Sequence, residues 1–136
     1  MKIHRLEFRS APENIKLVKQ WVDKIAIEYQ VCEALYPDIL ISLTEAVNNA
    51  IHHGNKGDQQ KKIYLVCKIK ENKLKFIIRD EGQGFDPDVI PDPTSRERIA
   101  QENGRGVMIM KTLASKVEFK KKGSKVEMTF KYKISS

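Results

Sequence analysis

Residues 45–55 read EAVNNAIHHGN, a segment whose polar residues recur at helical spacing. Glu45, Asn49 and His53 recur every fourth residue, so on a helix they form one polar stripe beside an apolar one. An amide oxygen is a hard, neutral ligand for Mg²⁺, and a carboxylate can take a proton from a water or hydroxyl nucleophile. The stripe therefore fits metal-assisted chemistry at Asn49 and Glu45, and a solvated helix face is the alternative.

Two helices are predicted in the first half of the chain. Ser10-Ala-Pro-Glu13 has the form of a capping box, and the apolar spacing that follows predicts a helix that runs to about Tyr29. A second helix is predicted to begin near Pro37-Asp38, and Gly54 is positioned to stop it. The polar stripe therefore lies on the last turns of the second helix.

Alternation of apolar and polar residues predicts strands before and after these helices. Glu71-Asn72 separates two such runs as a tight hairpin, and Gly123-Ser124 separates the last two. A short helix is predicted from Val107 onward. The predicted strands are an opening strand around residues 4–8 and the segments 62–70, 73–79, 116–121 and 125–133.

This order of elements predicts an α+β fold in a single domain, residues 1–136. Helices on one face of a mixed, mostly antiparallel sheet, a two-layer sandwich, are the economical architecture for it. The long connection between Gly82 and Gly106 contains three prolines and no convincing apolar period. A connection of that length in a compact domain is usually functional, so residues 85–103 are predicted to form a lid.

Composition limits the class of protein. No apolar run approaches the ~20 residues that span a bilayer, and the first residues have no signal-peptide core. Cys32 and Cys67 have no metal-ligand spacing, which is typical of reduced thiols in a cytoplasmic protein. The net charge of +7 fits a solvated strand face better than a nucleic-acid surface, although the second alternative stays open.

A second segment with chemistry is DEGQGFDP, residues 80–87, directly after a predicted strand. Asp80 supplies a fixed carboxylate, and Gly82 and Gly84 lack a Cβ, so a flat ligand can approach the backbone closely. A carboxylate accepts hydrogen bonds and donates none, which suits an exocyclic amine such as that of adenine. The alternative is an ordinary tight turn at the end of the strand.

A third segment is NGRG, residues 103–106, just ahead of the short helix. Glycines at a helix N-terminus present free N–H groups to an anion, and Arg105 adds a charge that attracts polyphosphate. The segment is neither a Walker A loop nor a dinucleotide-binding fingerprint, and a simple N-cap turn is the alternative.

Together the three segments form a known combination. ExxxNAxxHG, then DxGxG, then GxG before a helix resembles the N, G1 and G2 boxes of the GHKL ATPases, whose nucleotide-binding domain has the Bergerat fold. The similarity extends over essentially the whole chain. Within that superfamily, a short free-standing domain with EAVNNAIHHGN resembles the anti-sigma-factor serine/threonine kinases.

The resemblance implies a role for each position of the boxes. It implies that Glu45 is the general base, that Asn49 holds Mg²⁺ and that Asp80 binds adenine. The glycines implied to contact the nucleotide are Gly82 and Gly84 in the first loop and Gly104 and Gly106 at the triphosphate.

The resemblance also implies an activity and partners. It implies a kinase that uses ATP and Mg²⁺ to phosphorylate a serine or threonine of an anti-anti-sigma protein of the STAS type, with a sigma factor as the other partner and a homodimer as the assembly. No membrane or direct nucleic-acid partner is expected. The main alternative is a regulatory module that binds ATP and a partner protein without transferring phosphate.

Overall fold

The computed structural model describes residues 1–82 and 106–131, apart from the side chain of Lys122. Within these residues three α-helices and five strands follow one another in the predicted order. The predicted lid, and with it Gly84, Gly104 and Arg105, lies outside the described residues. The elements are β1 (Lys2–Arg9), α1 (Ile15–Glu28), α2 (Leu35–Asn49), β2 (Lys62–Lys70), β3 (Lys73–Arg79), α3 (residues 106–113), β4 (Lys116–Lys120) and β5 (Lys125–Lys131).

The strands form one sheet in the order β1-β2-β3-β5-β4, and all four pairings among the described strands are antiparallel. β2 and β3 begin and end where the sequence predicted, around the hairpin at Glu71-Asn72. β5 inserts between β3 and β4, so the last hairpin of the chain completes the sheet next to the middle one. The predicted α+β fold is confirmed.

One face of the sheet packs against the helices. In β2 and β3 every second residue is buried, as expected for strands with one covered face. The Phe76 ring lies between two other rings, with centroids 6.0 Å from Trp21 of α1 and 6.0 Å from Phe130 of β5, both edge-on. The inner surface of α2 adds Ile39, Leu43, Ala46 and Val47 to the same core.

The capping box predicted at the start of the first helix is wrong. Pro12–Asn14 forms a turn of 3-10 helix before α1, and no side chain caps it. The Ser10 hydroxyl is buried and has no hydrogen-bond partner within the described residues, while the Ser10 backbone N–H donates to Lys61 O at 2.9 Å. The Asn14 side chain instead donates to Arg9 O at 2.9 Å and fixes the approach to the helix.

The end of α2 departs from regular α-helix. After Asn49 the chain continues through a π-helical turn, Ala50–Gly54, in which Asn55 N donates to Ala50 O at 2.8 Å. A π turn is wider than an α turn, so His53 does not continue the regular four-residue stripe of Glu45 and Asn49. Such single turns are frequent at functional sites, and this one directs the chain toward the end of β3.

Candidate functional site

The start of α3 lies against the polar stripe of α2. A Cβ built on Gly106 would be 2.9 Å from Glu45 Oε2 and 3.5 Å from Asn49 Nδ2. Gly106 is itself buried, whereas Glu45 and Asn49 are half-buried. The backbone at the first described residue of α3 therefore reaches a carboxylate and an amide that come from a distant part of the sequence.

The end of β3 lies against the π-helical turn that follows α2. A Cβ on Gly54 would overlap the Asp80 carboxylate, and the carboxylate atom nearest to it would be Oδ2. A Cβ on Gly82 would overlap the carbonyl oxygen of Gly54 and would lie 2.9 Å from Asp80 Oδ1. Both positions therefore require glycine for close approach of two protein segments. The DxGxG pattern predicted glycine at position 82 for the approach of a ligand, and the contact with Gly54 was not predicted.

Asp80 is buried to 9% exposure and is held by backbone contacts. Its N–H donates to Ser124 O at 2.9 Å, and its Oδ1 accepts from Gly82 N at 2.8 Å. Burial raises the pKa of Asp80 above its usual value of 3.8, while the Gly82 hydrogen bond and the charge of Lys61 act in the opposite direction. No residue in the described part of the chain donates to Oδ2, so that oxygen has acceptor capacity for a ligand.

Sequence reasoning missed one residue of this arrangement, Asn55. It is fully buried, its Oδ1 accepts from Glu81 N at 2.8 Å, and its Nδ2 donates to Lys62 O at 3.1 Å. Asn55 stands at the end of the quoted EAVNNAIHHGN stretch, but its bonding partners are distant in sequence. An amide directly after the glycine that stops a helix was the one available signal.

The second and third predicted segments thus contact the first segment, residues 45–55, at two places. Near the last α-helical turn of α2, Glu45 and Asn49 face Gly106 of the third segment, and beyond it Gly54 packs on Asp80 and Gly82 of the second. The donor chemistry fits a Mg-nucleotide: Mg²⁺ takes few protein ligands besides substrate phosphates, and the buried Asp80 carboxylate keeps an open acceptor beside glycine backbone. The roles of these residues remain predictions.

None of the helices within residues 1–82 and 106–131 combines the length and apolar character that a bilayer crossing requires.

The order of the elements and the meeting of the three segments define a class of domain. The chain belongs to the family of histidine kinase-like ATPase domains, whose model matches residues 8–130.

Curated relatives are similar to this chain over most of their own length. An anti-sigma F factor of Shouchella clausii is 29% identical over 116 residues, which cover 83% of this chain and 79% of the relative. An anti-sigma F factor of Oceanobacillus iheyensis is 29% identical over 130 residues, or 91% of this chain and 88% of the relative. The serine-protein kinase RsbW of Bacillus subtilis is 27% identical over 112 residues, which cover 78% of this chain and 70% of the relative.

A solved structure has the same fold. It is the crystal structure of the RsbU and RsbW domains of a Mycobacterium tuberculosis protein, which aligns with a TM-score of 0.69 at 14% identity. The alignment covers all of this chain and 33% of that longer chain. At this identity the likeness supports the fold alone.

Proposed function

We propose that the chain is an anti-sigma factor kinase, which uses ATP and Mg²⁺ to phosphorylate a serine or threonine of an anti-anti-sigma protein of the STAS type and which binds a sigma factor. The names of its relatives, anti-sigma F factor and serine-protein kinase, support the kinase class. Membership of the histidine kinase-like ATPase family supports the use of ATP.

The observation that carries the proposal is the contact of Gly106 with the polar stripe of α2. Glu45 Oε2 lies 2.9 Å from the position of a Cβ on Gly106, the first described residue of α3, where the sequence predicts the start of a helix. The N-terminus of a helix favours phosphate, because its first N–H groups are free and its dipole is positive. A carboxylate and an amide beside such a terminus are therefore placed near where the terminal phosphates of ATP would lie.

In this proposal the residues of the stripe have separate tasks. Glu45 takes the proton of the partner's hydroxyl as that oxygen attacks the terminal phosphorus of ATP, and ADP leaves. The Asn49 amide oxygen holds Mg²⁺, which when bound would neutralise charge on the phosphates. Gly106 keeps the backbone of α3 close to both side chains because it has no Cβ.

At the other end of the site, Asp80 selects the base. Its unengaged oxygen accepts a hydrogen bond from the adenine amine, and Gly82, with Gly84 of the same loop, leaves room for the flat ring. Gly104 and Arg105 of the third segment bind the triphosphate, and residues 85–103 form the lid.

Phosphorylation then works as a switch in partner choice. A phosphate adds about −1.5 to −2 charges to the antagonist, and the added charge weakens its binding to the kinase. The kinase released in this way is free for the sigma factor, since two partners with different affinities compete for it. The assembly is proposed to be a homodimer.

Transfer of the labelled γ-phosphate of ATP to a purified STAS-type anti-anti-sigma protein tests the proposal. Label on a serine or threonine of that protein, dependent on Mg²⁺ and on the kinase, is the expected result. ATP binding and partner binding without any transfer would instead identify a regulatory binding module.

A further inference from the structure

Asn55 has an environment unlike that of an ordinary surface loop residue. It has no exposed surface, and its backbone N–H donates to Ala50 O at 2.8 Å while its carbonyl accepts from Asp58 N at 3.0 Å. Its side-chain oxygen and nitrogen are both bonded as well, to Glu81 N and Lys62 O. Every polar group of this buried residue is satisfied, so its orientation is fixed.

The side-chain bonds of Asn55 belong to a closed ring of three residues. Asn55 Oδ1 accepts from Glu81 N, the Glu81 carboxylate accepts from Lys62 N, and Lys62 O accepts from Asn55 Nδ2. The ring joins the residue after the π-helical turn, the first residue of β2 and Glu81, which lies two residues beyond the end of β3. Asn55 is the buried member of the ring, whereas Lys62 and Glu81 are exposed. Because each of the three residues is bonded to the other two, the ring holds the Asn55 side chain in a single arrangement.

The ring touches the proposed adenine acceptor from two directions. Gly54, the residue before Asn55, lies under the Asp80 carboxylate, and Glu81, which Asn55 binds, directly follows Asp80. The next residue, Gly82, donates to Asp80 Oδ1. Asn55 therefore fixes both the surface on which the carboxylate rests and the peptide that orients it.

We infer that Asn55 is a positioning residue for base recognition, which acts through Asp80 by holding its free oxygen Oδ2 toward the ligand. The inference rests on the proposed ATP site. Its consequence is specific: loss of the Asn55 amide misplaces the acceptor of the adenine amine, and it leaves interactions with phosphates and metal in place. Loss of a residue needed only for the fold would instead weaken the binding of every nucleotide equally.

The test is a double-mutant cycle in nucleotide affinity, measured by calorimetry with ATP and with GTP. Asn55→Ala is expected to weaken ATP binding about tenfold with little effect on GTP, because GTP lacks the amine that Asp80 binds. In an Asp80→Asn background, Asn55→Ala should lower the affinity for ATP less than about threefold, because the effects of two residues that act as one unit are not additive.

Leu74→Ala is the control for general destabilisation. Leu74 is fully buried at the far end of β3 from Asp80, so its truncation lowers stability without touching the ring. The control is expected to leave the ATP to GTP affinity ratio unchanged. Equal losses for ATP and GTP in Asn55→Ala, or full additivity with Asp80→Asn, would overturn the inference.

A measurement on the native protein covers the case in which Asn55→Ala fails to fold. The side-chain amide resonances of Asn55 should shift on titration with ATP and saturate with it, while those of Asn14, a half-buried residue that donates to Arg9 O before α1, should not move. Resonances of Asn55 that stay fixed at saturating ATP would refute the positioning role.

The two proposals fail in different ways. A native protein that binds neither ATP nor GTP refutes the ATP site and the inference together. A native protein that binds ATP through Asp80, with no coupling between Asp80 and Asn55, refutes the inference and leaves the kinase proposal intact.

Discussion

The Asp80 carboxylate rests on the α-carbon of Gly54, so closely that a methyl group at position 54 would overlap it. The contact joins the end of β3 to the turn that follows α2. Because the sheet and the helix layer meet here through a carboxylate and a glycine, the position of the carboxylate depends on the absence of a side chain. Adding a single methyl group at position 54 therefore tests whether the position of the Asp80 carboxylate matters for binding.

Gly54→Ala is expected to weaken ATP binding strongly, roughly tenfold or more, because the new methyl group must displace Asp80 from its place. Calorimetric titration with ATP measures the effect. Gly57→Ala is the matched control: Gly57 has a φ of +75° and no heavy atom within 4 Å of a built Cβ, so the change costs backbone strain without a clash. An equal loss of ATP affinity in both variants would contradict the role given to the Gly54–Asp80 contact.

Glu45 and Asn49 both lie near Gly106, yet their proposed tasks differ, so their variants should fail in different ways. Asn49→Ala is expected to lower Mg²⁺-dependent ATP affinity together with turnover. Glu45→Gln keeps the size of the side chain and removes its basicity, so ATP should still bind while phosphoryl transfer falls roughly 10²–10⁴-fold.

Affinity and single-turnover phosphorylation on both variants distinguish the alternatives. A solvated helix face predicts no effect of either change. Transfer at the native rate by Glu45→Gln would rule out Glu45 as the base.

Glu127 on the open face of the sheet gives the fold a dependence on acid pH. It is 5% exposed, with Lys75 Nζ 2.7 Å from its Oε1 and Lys120 Nζ against its Oε2. These two ammonium groups lower the pKa of Glu127 from 4.5 to about 2. A carboxylate with a lowered pKa in the native state stabilises it above pH 4.5, and this stability is lost as the pH falls from 4.5 toward 2.

Urea unfolding between pH 6 and pH 3 measures this contribution, which we expect to be on the order of 1–3 kcal/mol. Glu127→Gln should be less stable near neutral pH and should lose less stability on acidification. Glu13→Gln is the control, because Glu13 is exposed and lies in the 3-10 turn before α1, outside the sheet, and it should leave the pH profile unchanged. A native profile identical to that of Glu127→Gln would refute the assignment.

Much of the fold was predictable because its signals are local. The alternation in β2 and β3 follows from one covered face, and both predicted strands are present with the predicted bounds. The capping box at Ser10 failed because burial and a backbone bond to Lys61 decide the place of that serine, and neither is visible in the local pattern. Cys32 and Cys67 are both free, as their spacing indicated.

The site was predictable in its residue types and less so in its assembly. The spacing of Glu45 and Asn49 predicts a shared face, and the structure places both beside Gly106. The need for glycine at position 54 and the closed ring around Asn55 depend on contacts between residues far apart in sequence. No periodicity reports such contacts, so they had to be taken from the three-dimensional structure.

Calorimetric titrations of the native protein with ATP and with GTP, in the presence of Mg²⁺, test whether Asp80 reads the base. ATP is expected to bind roughly ten to a hundred times more tightly, because a hydrogen bond to a charged group contributes about 1.5–3 kcal/mol and GTP offers a carbonyl in place of the amine. The preference should disappear in Asp80→Asn. Equal affinities of the native protein for ATP and GTP would contradict the claim that Asp80 reads adenine in a site built from these three segments.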